Sequence, residues 1–190
     1  RNDIAAERCF TPWLDAEKVM REKSIPLFTL ESKAHICDFD MIGFSVSNEL
    51  CYTNILNTLD LAGLNIRSKD RSDTCPIIIA GGGMSNNCEP IADFIDIFIL
   101  GEGEQAVIEV ADVIINSKNE NMGKDEILKK VHEKFDFVYV PKFYEFEYEN
   151  NKIKSISPNP ELTNAHIQDL DSAAVPMEPI VPYIDTIHER

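Results

Sequence analysis

The chain has 190 residues, of which 44% are apolar and 27% charged, with a formal net charge of −15. This composition is typical of a folded globular chain that is long enough to bury a core. The acidic excess argues against a nucleic-acid surface and an anionic membrane, because both bind clustered Lys and Arg. No apolar run approaches the ~20 residues that cross a bilayer. Five scattered cysteines without a CxxC pair indicate reduced thiols and a cytoplasmic protein.

In chain order, short apolar runs alternate with stretches of helical periodicity. A first strand is predicted at residues 6–10, and further strands are predicted at residues 41–47, 76–80 and 95–100. Helices are predicted at residues 14–23, 49–62, 105–117 and 125–134. Continuous apolar runs such as PIIIA are typical of strands that are buried on both faces of a parallel sheet. This order predicts an α/β fold, with an open parallel sheet and helices on both of its faces.

The pattern changes after Phe135. Residues on either side of Glu149-Asn150-Asn151 are rich in aromatic and β-forming types, which predicts an antiparallel hairpin. From residue 158 onwards prolines punctuate a polar stretch, which indicates an extended linker. We therefore expect an α/β domain at residues 1–135, a β-hairpin appendage at 136–157 and a linker at 158–190. Because the chain opens with Arg1 rather than Met and ends in a polar run, we expect a piece of a longer protein.

Small residues follow three of the predicted strands. The first exit carries Ser45 and Ser47, the second carries Gly81, Gly82, Gly83 and Met84, and the third carries Gly101, Glu102, Gly103 and Glu104. Because parallel strands end at one edge of a sheet, where open α/β sheets bind ligands, we predict a ligand groove there. Serine hydroxyls and glycine backbone would contact the ligand. The alternative is that the glycines only make tight turns, while the two glutamates favour a helix start through the helix dipole.

Motifs for other kinds of chemistry are missing from the sequence. AGGGMSNN does not have GxGxxG spacing, and neither a P-loop nor a GxSxG nucleophile motif occurs. His35 and Cys37 are two positions apart, but no further metal-ligating residues lie close to them in the sequence. We therefore assign no metal ligand and no catalytic residue within these 190 residues.

Several stretches resemble a known family. ERCFTPW, IPLFTLES, FDMIGFSVSNELCYTNILNTLDLAGLNIRSKDR, PIIIAGGGMSNNCEPIADFIDIFILGEGE and PIVPYIDTIHER are similar to the N-terminal part of Fe–S oxidoreductases of the radical S-adenosylmethionine (radical SAM) type. In these proteins a cobalamin-binding-like domain precedes the radical SAM domain. The resemblance implies a flavodoxin-like or Rossmann-like fold, followed by a linker and a barrel that carries a 4Fe-4S cluster and S-adenosylmethionine.

The resemblance also implies roles for the three strand exits. Ser45 and Ser47 match the family's serine loop, residues 81–83 match its glycine loop, and residues 101–104 match its GEGE turn. In cobalamin domains these loops surround the nucleotide tail of the corrin. This chain lacks the family's DxHxxG motif and its CxxxCxxC cluster motif. The resemblance therefore places the catalytic cofactor in a downstream domain of the same protein, and we expect the 190 residues alone to be inactive.

The resemblance further implies that an opening strand precedes Arg1. Without it the strand at residues 41–47 would be an exposed sheet edge, which we expect residues 6–10 or a second copy of the chain to cover. The leading hypothesis is an accessory module that holds cobalamin, or a remnant of that site, over the downstream cluster. One alternative is a degenerate domain with a structural or docking role. The other is a flavodoxin-like module that binds a small molecule or nucleotide.

Overall fold

The computed structural model describes residues 3–171 and 173. Its helices are α1 (Leu14–Lys23), α2 (Tyr52–Leu61), α3 (Gly103–Asn119) and α4 (Lys124–Lys134). Its strands are β1 (Met41–Ser45), β2 (Ile77–Gly81), β3 (Ile97–Ile99), β4 (Val138–Tyr139), β5 (Glu145–Glu149) and β6 (Lys152–Ser157). Short 3₁₀ turns connect several of these elements, including Glu49–Cys51 directly before α2.

The main sheet has the strand order β1-β2-β3-β4. The strands β1, β2 and β3 run parallel, and β4 pairs antiparallel with β3 through Phe98↔Tyr139. A separate two-stranded sheet is formed by β5 and β6. The predicted α/β class, an open and mostly parallel flavodoxin-like sheet followed by a β-hairpin, is therefore confirmed.

The sheet is buried on both faces because its inner strands are continuously apolar. The side chains of Ile78 and Phe98 join one core cluster, in which Leu59 of α2 is also buried. The neighbouring residues Ile77 and Ile97 join the other cluster with the helices α3 and α4. Successive side chains of a strand point to opposite faces, so a strand without polar positions requires helices on both sides.

The first predicted strand is wrong. Residues 6–10 belong to no strand, and the Arg8 carbonyl oxygen accepts a hydrogen bond from the Leu30 backbone N–H at 2.8 Å. The Arg8 side chain pairs with Glu31 at 2.7 Å, and the Glu7 carboxylate accepts from the Ser32 hydroxyl at 2.7 Å. These polar side chains hold residues 6–10 against the turn at residues 30–32, so they do not pair with β1.

The predicted hairpin is present but shorter than expected. The strands β5 and β6 pair across Asn150 and Asn151, which both have positive φ, at 52° and 60°. Val138–Tyr139, at the start of the segment expected to form the appendage, instead joins the main sheet as β4. Residues 172 and 174–190 of the expected linker lie outside the described residues. Within the described part of the chain, no helix has the length and apolarity needed to cross a bilayer.

Candidate functional site

The loops that follow β1 and β2 are joined by backbone hydrogen bonds. The Val46 N–H donates to the Gly81 carbonyl oxygen at 2.7 Å, and the Met84 N–H donates to the Val46 carbonyl oxygen at 3.0 Å. Gly82 has a φ of +107°, and a Cβ atom there would lie 3.0 Å from the Val46 oxygen. Glycine is therefore required at position 82 by the close approach of these two loops.

Ser47 and Gly83 face each other at this end of the sheet. A Cβ atom at Gly83 would lie 3.9 Å from the Ser47 carbonyl oxygen, and the Ser47 side chain is exposed. Ser45 is also exposed but belongs to β1, and the side chain of Met84 packs against the core. We call the exposed surface of the loops that follow β1, β2 and β3 the carboxyl rim. Of the predicted site residues, Ser47 and Gly83 lie close together on the part of the carboxyl rim that is exposed to solvent.

The start of α2 adds polar groups that the sequence reasoning missed. The Asn48 side chain accepts a hydrogen bond from the Leu50 N–H at 3.0 Å and caps the 3₁₀ turn before α2. The Ser47 Oγ lies 3.7 Å from the Cys51 Sγ, and this hydrogen bond lowers the pKa of the Cys51 thiol. An Asn directly before a helical pattern is a capping signal, and it could have placed this helix start at the rim.

The loop that follows β3 is covered by residues 163–167, which we call the tail segment. The Ala165 N–H donates to the Leu100 carbonyl oxygen at 2.8 Å, and the Glu102 N–H donates to the Ala165 carbonyl oxygen at 2.9 Å. The Glu102 carboxylate also accepts a hydrogen bond from the Ile167 N–H. The chain's own backbone therefore occupies the groups of Leu100 and Glu102 that a ligand would otherwise contact.

Gly101 and Gly103 have different surroundings within this loop. Gly101 has a φ of +88°, and a Cβ atom there would lie 2.7 Å from the Ala165 nitrogen. Gly103 begins α3, and no atom lies within 4 Å of a Cβ built on it. Glu104 is exposed in the first helical turn, where a negative charge favours the helix dipole. The glycine at position 101 is therefore explained by its contact with the tail segment.

The described residues offer hydroxyl and backbone groups for a cofactor at the rim, but no metal-ligating cluster. No group of three or more His, Cys, Asp or Glu side chains within this part of the chain could hold a metal ion. The backbone of His35 forms an isolated antiparallel β-bridge with Phe28, and the His132 ring packs beside Phe143 and Tyr144. His166 lies in the tail segment and is exposed. This donor set offers hydroxyl and backbone contacts to the polar groups of a ligand.

Two cavities lie away from these loops. One, of about 580 Å³, lies along the free edge of β1 and is lined by Ser45, Gly43 and Ile55 among others. The other, of about 810 Å³, includes Arg71, Asp96 and Lys124 at the amino ends of β2 and β3. Neither is lined by residues 81–84 or 101–104. Of the predicted site residues, Ser45 alone lines one of them.

The second cavity borders a buried ionic cluster around Asp96. The Asp96 carboxylate accepts hydrogen bonds from the Ser68 hydroxyl at 2.5 Å, the Ile78 N–H at 2.8 Å and the Arg71 guanidinium at 3.1 Å. The Lys124 Nζ lies 2.9 Å from the Asp96 Oδ2, at an ion-pair distance but off the direction of a hydrogen bond. The side chains of Asp96 and Arg71 have no exposed surface. This cluster is therefore an internal structural anchor.

Comparison with known proteins gives a consistent result. The family described as "Radical SAM proteins, N-terminal" matches residues 1–141. An uncharacterized protein of Methanocaldococcus jannaschii is 28% identical over 139 residues, which are 73% of this chain and 25% of that protein. The chain thus spans about a quarter of the length of this curated relative. No solved structure matches the chain.

Proposed function

Because the chain belongs to the family of radical SAM protein N-terminal domains, we propose that it is the accessory module of a radical SAM Fe–S oxidoreductase. In this proposal the module binds cobalamin at its carboxyl rim and presents it to a radical SAM domain in the same polypeptide. That domain carries the 4Fe-4S cluster and S-adenosylmethionine. All five cysteines are free thiols, which supports a cytoplasmic location.

The joined loops after β1 and β2 carry this proposal. The Ser47 backbone lies close to Gly83, and the Ser47 side chain is exposed, at the end of a parallel sheet where α/β folds bind ligands. The Ser47 side chain would hydrogen-bond a polar group of the cofactor's nucleotide tail, and Gly83 would let that tail approach the backbone. Cobalamin would supply its cobalt chemistry to the downstream domain, and this module would supply binding and orientation.

The test is a titration of the chain with hydroxocobalamin, followed by its visible absorbance. We expect a saturable spectral change that Gly83→Leu weakens by about tenfold or more, a loss of at least ~1.4 kcal/mol. Position 83 is chosen because, unlike position 82, it has ordinary backbone geometry and no atom closer than 3.9 Å to a new Cβ. Ser155→Leu, on the exposed face of the hairpin, is the size-matched control and should bind like the parent chain.

A second candidate function is a structural or docking role without a cofactor. The tail segment favours it, because Ala165 pairs with Gly101 and Ile167 donates to Glu102 at the third loop. The titration separates the two candidates, since a docking module would show no saturable change with hydroxocobalamin. Saturable binding of flavin mononucleotide instead would contradict both and favour a flavodoxin-like ligand module.

A further inference from the structure

The hairpin contributes aromatic side chains to the larger cavity, which has a volume of about 810 Å³. Tyr144, Phe146 and Tyr148 all line it, and because they are two positions apart in extended backbone they share one face of the hairpin. The rings of Phe146 and Tyr148 are stacked, with their centroids 6.5 Å apart. Tyr148 is 66% exposed. These three residues, which we call the aromatic face, therefore leave ring surface available for a ligand.

The start of α4 lines the same cavity through Lys124 and Asp125. Asp125 pairs with Lys142 at 2.5 Å, and Lys142 precedes the aromatic face by two positions, so this ion pair joins the helix start to the hairpin. The Gly123 N–H donates to the Glu126 carboxylate at 3.0 Å, whereas the next N–H groups have no partner within the helix. The start of this 11-residue helix therefore favours a negative charge.

Two buried cations beside the cavity share one carboxylate. Arg71 and Lys124 both pair with Asp96, and their side chains are 0% and 6% exposed. The hydrogen bonds of Asp96 are complete, but the Lys124 Nζ and the Arg71 Nε have no acceptor among the described residues, and both residues line the cavity. A buried charge without a partner is costly. The cluster therefore has one positive charge in excess, together with donors for one anionic group.

The other charged groups around the cavity favour a ligand with a single negative charge. Two ion pairs line the cavity and match their own charges, Arg67–Asp93 and Lys142–Asp125. The remaining charged groups are exposed to water, which screens them, and they are Lys69, Asp73 and Glu89. The two carboxylates among them would repel a dianion more strongly than a monoanion. One carboxylate group on the ligand matches the buried excess charge.

We propose that the larger cavity binds an aromatic carboxylate. Its ring would stack on the aromatic face, and its carboxylate would accept hydrogen bonds from the Lys124 ammonium and from an N–H group at the start of α4. The volume of about 810 Å³ lies within the range of roughly 300–1,000 Å³ that is usual for small-molecule sites. This site is at the amino end of the main sheet, so it is independent of the cobalamin site proposed at the carboxyl rim.

The test is a calorimetric titration of the chain with naphthalene-2-carboxylate at about pH 8, for which we expect saturable binding. Naphthalene-2-carboxamide has the same rings without the charge. It should bind about tenfold more weakly, because charge-assisted hydrogen bonds are stronger than neutral ones. The ester 2-naphthyl phosphate is mostly a dianion at this pH and should also bind more weakly than the carboxylate.

A lysine variant and its matched control identify the charged group. Lys124→Met removes the ammonium and should abolish the preference for the carboxylate over the carboxamide. This variant should fold, because Asp96 keeps all three of its hydrogen-bond donors. The control is Lys130→Met on the same helix, since Lys130 pairs with Glu120 and does not line the cavity. The control should bind both compounds like the parent chain.

Two further measurements locate the ring and the site. Tyr148→Ala removes a largely exposed ring and should weaken the binding of the carboxylate and the carboxamide alike, by about fivefold. In amide NMR spectra of the parent chain, naphthalene-2-carboxylate should shift the signals of Lys124 and Asp125 and leave those of Ser47 and Gly83 unchanged. Gly83→Leu should not affect this binding, so failure of the proposed function is recognised separately.

Four results would overturn the proposal. The first is the absence of any saturable change in calorimetry and NMR, as expected of a cavity that holds only water. The second is equal affinity of the parent chain for the carboxylate and the carboxamide. The third is a Lys124→Met variant that keeps the preference for the carboxylate. The fourth is tighter binding of 2-naphthyl phosphate, which would assign the cavity to a dianion.

Discussion

The polar groups at the two ends of the main sheet have opposite surroundings. At the amino end, the Asp96 carboxylate is fully buried, accepts three hydrogen bonds and pairs with Lys124. At the carboxyl end, Ser47 and Asn48 are exposed and make only local contacts with their neighbours. The amino end is a closed anchor that the chain completes by itself. The carboxyl end leaves polar groups open to a partner, although the larger cavity lies at the other end.

Several of the charges that line the larger cavity are matched within the chain. Arg67 pairs with Asp93 at 2.6 Å, and Lys142 pairs with Asp125 at 2.5 Å. Arg71 is directed inward, at Asp96 and at backbone carbonyl oxygens such as that of Phe94. These pairs leave fewer free charges for a ligand than the size of the cavity suggests.

The largest expected effect comes from breaking the closed anchor. Asp96→Ala leaves the buried cations Arg71 and Lys124 without their counter-charge, and we expect it to lower the free energy of unfolding by about 3–5 kcal/mol. Urea unfolding followed by circular dichroism measures the loss. The control is Asp93→Ala, whose side chain is 69% exposed in its pair with Arg67 and which should cost about 1 kcal/mol or less. Similar losses in both variants would contradict the closed anchor.

A smaller effect should separate the two glycines of the third loop. Gly101→Ala forces a φ of +88° on alanine and a Cβ contact with Ala165, so we expect a loss of about 1–3 kcal/mol and release of the tail segment. Gly103→Ala enters open space at the start of α3 and should be neutral or stabilising by up to ~1 kcal/mol. Thermal unfolding gives the energies, and limited proteolysis reports the tail segment. Equal changes in stability and in proteolysis for the two variants would contradict the contact between Gly101 and the tail segment.

The smallest expected effect concerns thiol chemistry at the open end. The Ser47 hydroxyl lowers the pKa of the Cys51 thiol, whereas burial raises that of Cys88 to about 12. Burial also raises the pKa of Cys9. Because the thiolate is the nucleophile, alkylation of Cys51 by iodoacetamide should rise at a lower pH than alkylation of Cys9, and Cys88 should react last.

Mass spectrometry of the labelled peptides across a pH series measures these rates. Ser47→Ala should move the rise for Cys51 to higher pH, and Ser155→Ala, on the hairpin, should leave it unchanged. If alkylation of Cys51 rises at a higher pH than alkylation of Cys9, the polar contacts at the start of α2 do not form in solution.

Local patterns were sufficient for most of the fold. The run PIIIA predicted β2, and the apolar spacing of Ala106, Val110 and Ile114 predicted α3. The prediction of a strand at residues 6–10 was wrong, because the contacts of Arg8 and Glu7 with residues 31 and 32 outweigh a weak strand pattern. Val138–Tyr139 was assigned to the hairpin because a two-residue strand carries too little periodicity to show which sheet it joins.

The candidate site divides in the same way. The alternation of strands and helices predicts parallel strands, which end at one edge of the sheet. The sequence alone could therefore place the serine and glycine loops close together. The contact of Gly101 with Ala165 could not be predicted, because it joins residues 64 positions apart. The cavity beside β1 could not be predicted either, since it depends on where residues 7–11 are anchored.

The sequence by itself determined the fold class, the parallel direction of β1, β2 and β3 and the end of the sheet at which their loops gather. These properties depend on hydrophobic periodicity and on the handedness of the chain, which act over short stretches. The tertiary structure alone decided which loop stays open, how the Asp96 cluster is buried and that β1 is an edge strand within the described part of the chain. Those outcomes depend on contacts between distant segments, whose energies no local pattern records.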